Sequence, residues 1–345
     1  MTSILLLFLD GVGLGPSDPH TNPFANARLP SLEFLLKGRT LSADLDPFSN
    51  ERCTFVRTDA TLGVAGRPQS ATGQATLLTG INVAREIGEH YGPKPTQAIR
   101  DLVHRHNLLT ELRHAGRHAA LLNAYPPRYF ASLRSGLRLL SVIPFAFFDA
   151  GLPIPEEGDL RQGHALSADF TGIGWHQRLG YSDTPVRTPR EAGTTLAGLA
   201  CAQDFSVFDG WLTDYAGHGG DMQASRAVLQ VLDTVVGELL AAGDKDGLLT
   251  VITSDHGNLE DLRERGHTSN PVPTLLVGPR QLREAVAGHM ADLTGLAPPC
   301  ARSYCSVPRE PLKPGGSSHW RPRRLSADAA ASCAAAFLLR PNPLP

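Results

Sequence analysis

Six consecutive apolar residues, Ile4-Leu5-Leu6-Leu7-Phe8-Leu9, stop abruptly at Asp10-Gly11. A strand with one wet face alternates, whereas a run that is apolar at every position has to be covered on both faces, as a central strand of an α/β sheet is. The run is far too short to cross a bilayer. No positive charge precedes it, and it ends on Asp10-Gly11 rather than on a cleavage-like site, so it reads as a buried strand and not as a targeting segment. Ligands of open α/β sheets bind beyond the carboxyl ends of the strands, and that is where Asp10 is delivered.

The same arrangement recurs along the chain. Ala119–Tyr125 and Phe205–Leu212 read as strands, the second followed by Thr213-Asp214-Tyr215-Ala216-Gly217-His218. Leu248–Ile252 leads into Ser254-Asp255-His256-Gly257, and Thr274–Gly278 is a further strand. Between them lie a short helix at Ser31–Leu36, a helix-compatible segment from Thr96 to His118, and a long amphipathic helix from about Met222 to Ala242. Ala224, Val228, Val231, Leu232, Val235 and Leu239 give the last its apolar stripe. The expected fold class is therefore α/β: a mostly parallel central sheet with helices on both faces. Asp214 and His218 are expected in the loop between strand and helix, at the same edge as Asp10.

With 345 residues the chain exceeds the usual single domain of roughly 100–200. The expected division is a core over 1–125 and 194–297, an inserted lid or substrate loop region at 126–193, and a Pro-rich, poorly ordered tail at 298–345 with one helix over Ala327–Leu339. Periodicity breaks down in the insertion, which scatters Arg128, Arg134, Arg138, His164 and His176 and is the expected seat of substrate selection. A formal charge of −2 gives no footprint for nucleic acid, and no segment suits a membrane. Five cysteines without a CxxC pair fit reduced thiols and a cytoplasmic setting.

The residues that carry chemistry sit at the predicted strand ends. Gly11-Val12-Gly13-Leu14-Gly15 resembles a dinucleotide-binding turn, but GxGxxG needs glycine where Pro16 stands. Ser70, in Pro68-Gln69-Ser70-Ala71-Thr72-Gly73, opens a helical segment closed by Gly80. It is either a capping serine or a nucleophile at a helix N-terminus, where free N–H groups favour phosphate. Asp10, Asp214, His218, Asp255, His256 and His267, with Ser70, form an oxygen and nitrogen set without cysteine, suited to Zn²⁺ or Mn²⁺. Seven ligands exceed one tetrahedral ion and suit two ions about 4 Å apart, the clamp used in phosphoryl transfer. Three aspartates and a serine alkoxide balance two divalent charges. A metal-bound hydroxyl loses its proton far more readily than a free one, so Ser70 would need no histidine base.

Leu9-Asp10-Gly11, Ser70-Ala71-Thr72-Gly73, Asp214-Tyr215-Ala216-Gly217-His218, Asp255-His256-Gly257-Asn258 and His267-Thr268-Ser269-Asn270-Pro271-Val272-Pro273 together resemble the motifs of the alkaline phosphatase superfamily of two-metal enzymes. Their order matches too, most closely in the cofactor-independent (2,3-bisphosphoglycerate-independent) phosphoglycerate mutase and phosphopentomutase branch. The resemblance covers about residues 3–80 and 205–278. It implies that Asp214, His218 and His267 hold one metal while Asp10, Asp255, His256 and the nucleophile Ser70 hold the other, with Thr72 the second choice of nucleophile. The chain departs from the full-length mutases between Gly80 and Asp214, where it is too short for their large inserted substrate domain. The expected function is metal-dependent phosphoryl transfer on a small-molecule phosphate ester through a phosphoserine, as a phosphomutase or a phosphohydrolase. The alternatives are a phosphodiesterase or nucleotide-pyrophosphatase-like hydrolase, and a non-catalytic phosphate-ligand binding protein with the same fold.

Overall fold

The computed structural model describes residues 3–243, 247–297 and 299–300. The expected tail from 301 onward, with its helix at Ala327–Leu339, lies outside the described residues. Seven strands form one sheet in the order β2-β3-β7-β6-β1-β5-β4: β1 (Ile4–Leu9), β2 (Phe48–Ser49), β3 (Cys53–Thr58), β4 (Ala119–Leu121), β5 (Phe205–Gly210), β6 (Leu249–Thr253) and β7 (Val272–Val277). β1 sits between β5 and β6, parallel to both.

The apolar run is buried on both faces as its composition demands. Ile4, Leu6 and Phe8 pack with the helices Ser70–Thr79, Gln97–His106 and Val142–Asp149, while Leu5, Leu7 and Leu9 pack with Pro30–Leu35, Pro189–Cys201 and Met222–Gly243. Period-two alternation along one strand thus divides the core into two layers with the sheet between them.

The sheet is mixed rather than simply parallel. β4, β5, β1 and β6 run together, but β7 is antiparallel to β6 and β3, and β2 is antiparallel to β3. The reason is connectivity. The chain leaves β6 at the carboxyl edge, stays there from Ser254 to Pro271 and re-enters from that same edge, so no crossover restores the parallel direction. Residues 126–193 also differ from the irregular stretch expected, carrying helices at Pro127–Arg134, Val142–Asp149, Glu157–Gln162 and Ile173–Gln177. Val142, Ile143, Ala146 and Phe147 belong to the same core layer as β1, whereas Leu160, Ala165 and Trp175 form a small cluster of their own with Ala124. Among the described residues, no helix is long and apolar enough to cross a membrane.

Candidate metal centre

Strand register brings the predicted residues to one level. Leu9 pairs with Gly210 and Phe8 with Thr253, so Asp10, the Thr213-Asp214 turn and Ser254-Asp255 emerge side by side. The Thr213 hydroxyl donates to the Asp10 carbonyl at 2.5 Å, and Ser254 Oγ accepts from Val12 N–H at 2.9 Å, tying the three strand ends together. Asp214 and His218 lie on a short helix, Leu212–Gly219, rather than in a loop. Their i,i+4 spacing puts both on one face, with His218 Nε2 3.3 Å from Asp214 Oδ2. Two glycines allow the segments to close up. A Cβ on Gly11, whose φ is +69°, would lie 2.6 Å from Asp214 Oδ1, and one on Gly73 would lie 2.7 Å from Asp255 Cβ.

Ser70 is the first residue of the helix Ser70–Thr79, and Gln69 holds the cap position without a side-chain capping bond. The serine hydroxyl instead stands 3.0 Å from His256 Nε2, which is 3.3 Å from Asp10 Oδ1 and 3.7 Å from Asp255 Oδ2. The Gln74 amide donates to Asp10 at 3.2 Å and to Asp255 at 3.3 Å, bridging the two carboxylates. His267 donates from Nδ1 to the Pro68 carbonyl at 2.9 Å, which fixes its tautomer and leaves Nε2, 3.8 Å from Asp214 Oδ1, facing the centre. The rings of His256 and His267 stack at 3.6 Å between centroids, and His218 lies 5.3 Å from His267.

All seven predicted side chains therefore meet at one edge. Ligand atoms of Asp10, Asp255 and His256 all lie within 4.8 Å of one another, as do those of Asp214, His256 and His267. His256 belongs to both groups, while the half-exposed His218 belongs to neither and stands against Asp214. Burial foremost, then the charges of Asp255, Asp214 and Asp209, raises the Asp10 carboxyl well above the usual range. Burial and Asp214 do the same to Asp255. Burial holds His256 well below the ordinary imidazole value, and His267 below it, so both rings are neutral donors. Asp10 Oδ1 is buried with no hydrogen-bond partner among the described residues, His256 Nε2 being 3.3 Å away. Crowded carboxylates, neutral imidazoles and an orphan oxygen make a donor set that divalent cations fit and an empty apolar site would not.

Two further residues complete the centre. Asn258 donates to Asp214 Oδ1 at 2.6 Å and to its carbonyl at 3.2 Å. Glu260, fully buried, accepts from Gly13 N–H at 2.9 Å, Asn258 N–H at 2.7 Å, the Asn270 amide at 2.9 Å and the Thr268 hydroxyl. Neither position was assigned a role from the sequence. The available signal was glycine: Cβ atoms on Gly13 and Gly257 would fall on the Glu260 carboxylate. Because this one side chain buckles three loops, Glu260→Ala is expected to cost about 3–5 kcal/mol by leaving several buried donors unpaired. Glu260→Gln, which loses one acceptor, should cost less; chemical denaturation of the two variants measures both.

The fold is α/β, and its strand-end cluster is one that could hold metal ions. Residues 193–297 match the model of the Metalloenzyme superfamily. A 2,3-bisphosphoglycerate-independent phosphoglycerate mutase of Dinoroseobacter shibae is 34% identical over 105 residues, covering 28% of this chain and 21% of the relative. One of Gloeothece citriformis is 31% identical over 156 residues, covering 43% and 27%. The solved structure of the PH0037 protein from Pyrococcus horikoshii shares the fold at 14% identity, with a TM-score of 0.50, over 81% of this chain and 86% of that one. The likeness to the Metalloenzyme superfamily thus rests on residues 193–297, which hold Asp214, His218, Asp255, His256 and His267. The chain spans only about a quarter of the length of the curated relatives it matches.

Proposed function

We propose that the chain is a dinuclear-metal phosphoryl-transfer enzyme that acts on a small-molecule phosphate ester through a phosphoserine at Ser70, in a cytoplasmic setting. The observation that carries this reading is the Ser70 hydroxyl, uncommitted to capping and 3.0 Å from His256 Nε2, which itself lies 3.3 Å from Asp10 Oδ1 and 3.7 Å from Asp255 Oδ2. Asp214, His218 and His267 would hold one ion, and Asp10, Asp255, His256 and Ser70 the other, as Mn²⁺ or Zn²⁺. Bound, the cations would supply Lewis-acid charge for the phosphoryl oxygens and a lower pKa for the serine hydroxyl.

The chain's own part is positioning. Ser70 Oγ forms a bond to phosphorus as the ester oxygen leaves, the hydroxyl proton balancing the departing alkoxide. No side chain caps the start of its helix, so the N–H groups of Ser70 and Ala71 would face the phosphoryl oxygens, while that of Thr72 donates to the Tyr91 carbonyl. Thr72 is the weaker nucleophile: its hydroxyl is fully buried, donating to the Gln69 carbonyl at 3.0 Å and accepting from Tyr91 N–H at 3.2 Å. The phosphoserine then passes its phosphoryl group to a second hydroxyl, as in a mutase, or to water. Segment 126–193 covers the substrate in this reading, sharing its packing with the core at Val142–Asp149. The names of the curated relatives favour the mutase, and the short segment between Gly80 and Asp214 favours hydrolysis. A panel of phosphomonoesters, phosphodiesters and sugar phosphates, with Mn²⁺ and separately with Zn²⁺, decides by ³¹P NMR whether isomer or free phosphate accumulates. Binding without turnover of any member would leave only a phosphate-binding protein.

A further inference from the structure

A second polar cluster lies beyond Asp10, toward β4, and the reading above does not use it. Asp209, on β5 opposite Phe8, is buried. The Asn123 side chain clamps its backbone, donating to the Asp209 carbonyl at 3.0 Å and accepting from its N–H at 2.6 Å. The Tyr125 hydroxyl stands 3.5 Å from the Asp209 carboxylate. Tyr129 stacks on Tyr125 with centroids 4.5 Å apart, and the Arg138 guanidinium lies 5.4 Å from the Tyr129 ring. The Tyr129 hydroxyl is buried without a hydrogen-bond partner among the described residues.

Lys94 approaches this cluster from the nucleophile side. Its loop packs on the start of the Ser70 helix: Thr72 N–H donates to the Tyr91 carbonyl at 3.0 Å, and a Cβ on Gly92 would lie 3.1 Å from Ser70 N. Two residues further on, Lys94 is half-buried within the fields of Asp209 and Asp10, with Arg138 opposing it. Among the described residues its ammonium makes no hydrogen bond or ion pair. A half-buried cation with nothing to grip is costly unless a ligand completes it. Once cations engage Asp10, the balance around Lys94 turns positive, and a phosphate ester dianion supplies the missing charge.

We propose that Lys94 is the phosphate anchor of this site. Its ammonium pairs with a non-bridging oxygen of the phosphoryl group presented to Ser70, and the Tyr129 hydroxyl and Arg138 border the part of the substrate that departs. Asp209 acts through Lys94 as its counter-charge, a positioning residue. This inference rests on the phosphoryl-transfer reading and is tested apart from it, by binding. Inorganic phosphate is titrated calorimetrically into Mn²⁺-loaded wild type, Lys94→Met and Lys94→Arg, and Mn²⁺ is titrated separately into each. Lys94→Met should weaken phosphate binding about 10- to 100-fold, the loss of one charge-assisted hydrogen bond. Its Mn²⁺ affinity should not fall, since the change removes a positive charge near Asp10, and Lys94→Arg should restore part of the phosphate affinity. Wild-type phosphate affinity in Lys94→Met overturns the proposal, as does a wild type that binds no phosphate. Should Lys94→Met misfold, a Lys94→Arg variant that folds yet binds phosphate no better than a chloride control also overturns it, because arginine keeps the charge. A failure of the metal reading shows elsewhere, as a wild type that takes up no Mn²⁺. The phosphate titrations are then run on the metal-free proteins, where the same comparison decides.

Discussion

Ser70→Ala is expected to lower turnover of any phosphate ester the protein processes by about a thousand-fold or more, because under the proposed function it deletes the attacking atom rather than a supporting contact. The fold should survive the change. Ser70 makes no capping bond, and its hydroxyl contacts His256, so the alanine loses little that holds the helix Ser70–Thr79 in place. Mn²⁺ binding should persist on the six remaining ligands with modest weakening. The companion variant Thr72→Ala should behave oppositely, losing stability through the Gln69 and Tyr91 contacts while keeping much of its turnover. Acid quenching with ³²P-labelled substrate gives the direct check: label should be trapped on wild type and Thr72→Ala and be absent from Ser70→Ala. Label retained by Ser70→Ala and lost from Thr72→Ala would move the nucleophile to Thr72.

Much of this arrangement was legible before any coordinates because the site is built from strand ends. An apolar run closed by a carboxylate or imidazole announces both a central strand and the edge on which its last residues act, and β1, β5 and β6 all carry that signature. What stayed hidden depended on contacts remote in sequence. The antiparallel β7 follows from a connection that remains on one edge, which no local periodicity reports. β2 and β3 are ordered by pairing with each other and with β7 rather than by strong alternation. The helix Leu212–Gly219 was hidden because Gly217 and Gly219 read as a loop, although Gly217 is glycine so that Asn258 can approach; a Cβ there would lie 2.7 Å from the Asn258 side chain. Glu260 and Lys94 were illegible for a related reason. A carboxylate accepting from three loops, or a half-buried ammonium in the fields of Asp209 and Asp10, acquires its meaning only from neighbours the chain supplies elsewhere.

Asp255→Asn should separate the centre's cost from its use. Asp10, Asp214 and Asp255 crowd their charges in a buried space, and in the metal-free protein that repulsion opposes folding. The folded-state values of Asp10 and Asp255 are raised, so the protein binds protons more tightly folded than unfolded. Their favourable contribution is complete below the unfolded value near 3.8 and is lost as pH climbs through the raised folded values. Metal-free wild type should therefore weaken as pH rises from about 4 toward neutrality, and Asp255→Asn, which removes one charge and keeps the shape, should weaken less. At neutral pH the variant is expected to be about 1–3 kcal/mol more stable than wild type without metal. With Mn²⁺ the order should reverse. At a thousand-fold excess over its dissociation constant a ligand adds about 4 kcal/mol, and the wild type gains this while the variant gains little. Thermal melts of both proteins at pH 5 and pH 7.5, with chelator and with Mn²⁺, give the four comparisons. A wild type whose melting point ignores Mn²⁺ at both pH values would show that the crowded carboxylates are not held together by cations at all.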